Sequence, residues 1–155
     1  RRCDWLTRHI TAFRTAWQET ASRYPYKTIA ITILPEHFHA ILQLPEDDNY
    51  SMRISALKSA FSRRLPAHYR NPNPSQQNKQ ETGIWQRRFW EHRIRDESDL
   101  QRHVFYTYYN PVKHGYVRRV IDWPYTSFHR DVQRGLFPPD WGGEIEPGIR
   151  NLYPE

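Results

Sequence analysis

The sequence predicts an α+β fold, with a central antiparallel β-sheet and helices packed on it. Two short neighbouring segments alternate their side chains with a period of two. The segments around them repeat apolar residues at spacings of three and four. The 155-residue length suits one domain, placed at residues 1–141, followed by an irregular tail over 142–155.

Residues 5–18 read as a helix, because Leu6, Ile10, Phe13 and Trp17 form one apolar stripe. Residues 27–34 (KTIAITIL) are β-branched and alternating, so they read as a strand. Pro35-Glu36 makes a short turn. Residues 37–44 (HFHAILQL) alternate again, with Phe38, Ala40, Leu42 and Leu44 on one face and His37, His39, Ile41 and Gln43 on the other. Strands joined this closely pair as an antiparallel hairpin.

Residues 51–65 read as a second helix, with Ile54, Leu57, Phe61 and Leu65 as its buried stripe. Residues 70–82 are polar and rich in Pro, Asn and Gln, and read as an exposed loop. Residues 84–94 (IWQRRFWEHRI) read as a strand rich in aromatics and arginine. Asp96 can cap a third helix over 97–109, with Glu97 and Asp99 in its first turn. Pro111 is expected to end or kink it, since proline lacks the amide donor. A shorter helix is expected over 125–134, closed by Gly135, and the chain from Leu136 reads as irregular.

Composition narrows the function. The single cysteine, Cys3, excludes an intramolecular disulfide framework and a CxxC zinc site. No apolar run approaches the ~18 residues of a membrane helix, and no signal peptide is visible, so a soluble intracellular protein is expected. The net charge is +6 and aromatics make up 15% of the chain. Cations contact phosphates and flat rings stack on unpaired bases, so the pairing suggests nucleic acid. The charge is local. Residues 51–70 carry five basic side chains (Arg53, Lys58, Arg63, Arg64, Arg70) and no acid, and residues 84–119 carry eight basic and four acidic ones. A basic block is also what an ordinary solvated face looks like.

Three residue types carry chemistry. His37 and His39 are two apart, so on a strand they share a face and can share one metal ion. In the third helix Tyr106 and Asn110 lie about 40° apart around the axis, with His103 on the same face. Phe105, Tyr108 and Tyr109 point elsewhere and read as packing residues. A tyrosine can serve as a covalent nucleophile. Its hydroxyl titrates near ~10 and needs help at neutral pH. A divalent cation held by two histidines could polarise a scissile phosphate. A phosphotyrosine linkage conserves bond energy, so rejoining needs neither ATP nor any other nucleotide cofactor.

PEHFHAILQLP, GIWQRRFWEH, HVFYTYYNPVKHGYV and DWPYTSFHRDV occur in this order. Together they resemble the REP-associated tyrosine transposases, relatives of the HUH single-tyrosine transposases of bacterial insertion sequences. The resemblance runs from about Leu6 to Trp141. It implies a ferredoxin/RRM-like HUH nuclease fold, two metal-binding histidines on an inner strand and a nucleophilic tyrosine on a facing helix. It implies cleavage of single-stranded DNA at repetitive extragenic palindrome (REP) hairpins, leaving a 5′-phosphotyrosine and a free 3′-hydroxyl. It also implies a bacterial cytoplasmic, nucleoid-associated protein with no membrane partner.

On this resemblance His37 and His39 occupy the H-x-H positions and Tyr106 the nucleophile's. Asn110 falls at a third ligand position where insertion-sequence relatives tend to carry Gln; His103 or a water are alternatives to it. Tyr108 and Tyr109 are rival nucleophiles by proximity. The cation is Mg²⁺ or Mn²⁺, imidazole suiting Mn²⁺ better. Arg53, Lys58, Arg63, Arg64, Arg87, Arg88 and Lys113 are candidate phosphate contacts. Trp85 and Trp90 are candidates for base stacking, with a place in the core as the other reading of each. The family also implies a strand before the first helix. The sequence opens at Arg1, almost directly at that helix, and a sheet lacking the strand would leave an edge unpaired.

Two other functions fit parts of the sequence. A DNA-hairpin-binding module without catalysis would share the basic blocks. A zinc hydrolase using H-x-H lacks a third strong ligand at close spacing. If the block over 51–70 contacts DNA, neutralising Arg63 and Arg64 together lowers both the affinity and the slope of log K against log salt. An unchanged slope in a salt-dependent binding series returns that block to a solvated face.

Overall fold

The structure is a computed structural model and describes residues 3–85 and 89–142. Its elements run α1 (Trp5–Arg8), α2 (Ile10–Arg23), β1 (Lys27–Ile33), β2 (Phe38–Gln43), α3 (Tyr50–Arg64), α4 (Pro74–Gln77), α5 (Glu97–Lys113) and α6 (Phe128–Gln133). Single 3-10 turns lie at Ala67–Tyr69 and Val120–Asp122. Among the described residues no helix is long and apolar enough to cross a membrane. The chain forms two compact units. One holds the described residues of 1–8, 28–43 and 92–142; the other holds 9–27, 44–85 and 89–91.

The first unit is built on the expected β1–β2 hairpin. The turn closes with Leu34 N–H donating to the His37 carbonyl at 2.8 Å. Residues 123–130 cover the outer edge of β1. Thr126 bridges antiparallel to Thr32, Ile33 N–H reaches the Tyr125 carbonyl at 2.8 Å, and Ser127 N–H reaches the Ile31 carbonyl at 2.9 Å. Trp123 Nε1 donates to the Ile33 carbonyl at 3.0 Å. This edge is therefore satisfied rather than open. Ala30 of β1 and Ile41 of β2 pack with Tyr108 of α5, Val120 and Phe128 of α6 as the buried core.

Register decides what α5 faces. Ile41 is buried in the core that contains Tyr108, so the β2 face carrying His39 and Ile41 is turned toward α5. Helix α5 begins as expected, with Asp96 Oδ1 accepting from Asp99 N–H at 2.8 Å. It does not end at Pro111. Proline removes one amide bond, yet the helix runs on to Lys113. It then closes with Gly115 in the left-handed region (φ 75°). Gly115 N–H donates to Val112 and Tyr116 N–H to Pro111, at 3.0 and 2.9 Å. This paired arrangement satisfies the last carbonyls without requiring another helical turn. Helix α6 is shorter than expected because 125–127 are used in pairing with β1. Gly135 closes it in the same manner.

In the second unit α2 packs on α3 through Phe13, Ala16, Leu57, Ala60 and Phe61. The Phe13 and Phe61 rings meet edge-on at 5.7 Å. Each such buried ring contributes about 1.5–3 kcal/mol. The expected helix over 5–18 is divided at His9, whose backbone leaves helical geometry at ψ 41°, and its second part continues to Arg23. The expected loop over 70–82 contains one helical turn, α4, with Pro74 at its first position and a reciprocal cap between Asn73 and Gln76.

One expectation fails here. Residues 84, 85 and 89–94 form no strand. Trp85 is anchored through its side chain instead, its Nε1 donating to the Lys58 carbonyl and Ser62 Oγ at 3.2 and 3.0 Å. Arg53, a candidate phosphate contact, is only 2% exposed. Its guanidinium donates to the carbonyls of Tyr24, Pro25 and Asn49 and forms a bidentate pair with Asp47. Arg53→Met leaves those carbonyls without their donor, each worth about 1–3 kcal/mol where water cannot replace it. Urea unfolding should show a loss of roughly 2–4 kcal/mol. Full stability together with a lowered salt slope for DNA binding would favour the phosphate role of Arg53 over the structural one.

Candidate active site

Helix α5 sets three side chains along one stripe: Tyr106, Asn110 and Lys113, at i, i+4 and i+7. Tyr106 is 2% exposed and meets His39 of β2 edge-on, ring to ring, at 5.5 Å. His37 lies just before β2, with its ring 5.0 Å from His39. The structure thus brings His37, His39 and Tyr106 together, with Asn110 one turn along the helix.

The site's electrostatics follow from burial. Burial pushes the His39 imidazole down to about 3, and the charges of His37, His114 and Lys113 add to the effect. His39 is therefore neutral near pH 7 and keeps a lone pair for a ligand. Asn110 is fully buried, and its Nδ2 donates to the Tyr106 carbonyl at 3.2 Å. Its Oδ1 is buried and has no hydrogen-bond partner among the described residues. A buried amide oxygen without a donor costs free energy that a cation would recover. The imidazoles of His37 and His39 and the amide oxygen of Asn110 are donor types that suit a divalent ion of the Mn²⁺ or Mg²⁺ type.

Lys113, expected at phosphate, is found at the tyrosine. Its Nζ donates to Tyr106 Oη at 3.1 Å and lies 5.1 Å from that ring's centroid. His114 is a residue that sequence reasoning missed. It caps α5, and its ring is 5.5 Å from His37. The available signal was its position one turn beyond Asn110.

The rival tyrosines are placed elsewhere. Tyr108 is buried in the core, and its hydroxyl is bonded to Asp131 and to Ser127. Burial, with the Asp131 carboxylate next, raises its pKa well above the ordinary phenol range. Tyr109 packs against the same core.

His103, an alternative to Asn110, contacts a different group. Its Nδ1 lies 2.7 Å from the Asp99 carbonyl, and its ring stacks on His92 at 4.4 Å. His92, Asp99 and His103 offer ligand atoms within 4.8 Å of one another. The Asp99 carboxylate already has His92 Nε2 at 2.8 Å, Arg95 N–H at 3.0 Å and the Arg102 guanidinium at 3.6 Å. The His92 bond, and then those from Arg95, hold its carboxyl below the usual range. Two guanidinium groups beside the Asp99 carboxylate make this cluster unfavourable for a cation.

The other described DNA candidates lie in the second unit. Arg63 is exposed. Arg64 pairs with Glu19 and donates to the Ala60 carbonyl at 2.9 Å. The Lys58 ammonium sits over the rings of Trp85 and Phe89, at 5.5 and 5.3 Å. Trp85 packs on Phe61 at 5.5 Å, whereas Trp90 is 50% exposed. Arg87 and Arg88 lie outside the described residues.

Known proteins share this arrangement of sequence. Residues 1–105 match the family described as Transposase IS200 like, a span that contains His37 and His39 and stops one residue before Tyr106. A relative from Haemophilus influenzae, described as a putative REP-associated tyrosine transposase, is 56% identical over 148 residues, covering 95% of this chain and 84% of its own. The REP-associated tyrosine transposase of Escherichia coli K12 is 42% identical over 146 residues, covering 94% and 80%. A solved structure of a REP-associated tyrosine transposase bound to a REP hairpin superposes with a TM-score of 0.79 at 41% identity, covering 94% of this chain and 81% of that one.

The depressed His39 pKa has a measurable sign. An unfolded histidine titrates near ~6.5. Below that value the unfolded chain binds a proton that the folded site refuses, so this contribution to stability is whole above pH ~6.5 and falls away toward about 3. In ¹⁵N NMR of metal-free protein, His39 should stay neutral from pH 8 to pH 5. A midpoint near ~6.5 would show the imidazole to be solvated.

Proposed function

Because the chain belongs to the REP-associated tyrosine transposases of the IS200-like family, we propose that it cuts and rejoins single-stranded DNA at REP-type hairpins through Tyr106. The observation that carries this reading is a buried tyrosine beside a neutral histidine, with an unsatisfied amide oxygen one turn away. The hairpin-bound structural relative supports the choice of substrate.

The chemistry is a transesterification. Tyr106 Oη bonds to the scissile phosphorus, the bond from phosphorus to the 3′-oxygen breaks, and the tyrosine's proton is balanced by one taken up at that oxygen. The reverse reaction joins an incoming 3′-hydroxyl. His37, His39 and Asn110 Oδ1 would hold a divalent ion, Mg²⁺ or Mn²⁺. When bound, that ion supplies positive charge for the phosphate oxygens. The neutral state of His39 makes its nitrogen available without first losing a proton. Residues 1–141 constitute the functional domain in this reading. The Trp141 ring packs 5.2 Å from both Phe105 and Phe137, which ties the chain near residue 141 to the helix bearing the nucleophile.

A labelled single-stranded hairpin incubated with Mg²⁺ or Mn²⁺ tests the proposal. Tyr106→Phe should still bind the hairpin while cleavage and the covalent adduct vanish. An adduct that persists moves the nucleophile to Tyr108 or Tyr109. No adduct from the unmodified protein favours a hairpin-binding module.

A further inference from the structure

We propose that Lys113 is a catalytic residue that carries the charge of the Tyr106 oxygen in both cleavage and rejoining, rather than a contact to the DNA backbone. The inference rests on the reading of Tyr106 as nucleophile. An ammonium has three donors and no acceptor, so in the 3.1 Å contact Lys113 donates and Oη accepts. The contact is built into the helix. Seven residues span almost two full turns, placing Lys113 on the face of Tyr106, and its ammonium also lies over the phenol ring. Lys113 is half-buried, so its field at Oη is screened less than that of an exposed lysine.

This geometry exists only because α5 continues past Pro111. A helix stopped there would lose the last turn that carries Lys113, and the closure at Gly115 fixes where that turn ends. In cleavage, negative charge on Oη must be tolerated as its proton departs and the bond to phosphorus forms. In rejoining, the 3′-hydroxyl attacks the phosphotyrosine, the bond from phosphorus to Oη breaks, and the electron pair returns to Oη. A fixed cation beside Oη serves both directions, since both pass through the same transition state. A lysine placed for phosphate contact alone would affect DNA affinity and leave the chemical step unchanged.

Single-turnover kinetics separate these roles, with protein saturating a labelled single-stranded hairpin in Mn²⁺ and with affinity measured independently. Lys113→Met should slow cleavage on the order of 100-fold, slow rejoining of a preformed adduct by the same factor, and leave hairpin affinity unchanged. Unchanged affinity also reports that the variant folds. Lys113→Arg, which keeps a charged donor, should recover a large part of both rates. Weakened binding with an unaltered single-turnover rate, or no change in either quantity, overturns the proposal. Arg behaving like Met, both slow, overturns the charge argument. An unmodified protein that forms no adduct, or a Tyr106→Phe variant that does, overturns the underlying reading of Tyr106 and this role with it.

Discussion

The first unit depends on one constraint: α5 must stay helical through a proline. The helix carries the site on one face and the core on another. Tyr106, Asn110 and Lys113 line the first, while Tyr108 joins Ala30, Ile41, Val120 and Phe128 on the second. The two faces are locked together, because a helix that rotates to repack its core also turns its site away from β2. The start is secured by Asp96 at the amide of Asp99, and the finish by the paired bonds around Gly115. Proline removes one backbone bond in between, and packing around the buried Pro111 outweighs that loss.

Much of this was legible in the sequence because it is local. Period-two alternation locates β1 and β2 within a residue or so, and Asp96 marks the start of α5. The stripe of Tyr106 and Asn110 follows from helical geometry, and the spacing of His37 and His39 anticipates neighbouring rings. What failed was non-local. Residues 84–94 have the side chains of a strand, yet Trp85 is held by Ser62 and the Lys58 carbonyl rather than by a backbone ladder. Of the two expectations for Pro111, an end to the helix is the one that tertiary packing overrides, since α5 runs on to Lys113. The single turn of α4 escaped because one turn has no periodicity, although Asn73, Pro74 and Gln76 spell its cap.

Charge was the least legible property. Arg53 reads as surface in any linear count, but it is buried and organises Tyr24, Pro25, Asp47 and Asn49 around itself. Asp99 reads as a favourable residue in a first helical turn. It is instead a buried carboxylate that gathers His92, Arg95 and Arg102 at the entry to α5. Both are hubs whose partners satisfy a charge that could not otherwise be buried. Of the basic block over 51–70, Arg63 is exposed, while Lys58 and Arg64 engage rings or carboxylate and carbonyl oxygens.

The bond from Tyr108 to Asp131 bears on the fidelity of the proposed reaction. Tyr106, Tyr108 and Tyr109 are chemically identical phenols within four consecutive residues. Intrinsic reactivity cannot choose among them, and in the proposed reaction covalent capture at the wrong one would strand a DNA end in a place from which it could not be rejoined. The fold chooses by environment. One phenol is sealed against a carboxylate that disfavours its anion, and one is packed against the core. The third is set against a histidine and an ammonium. Solvation and partners thus set three equal phenols apart, and on the proposed reading the helix keeps its aromatic packing without offering a second point of attachment.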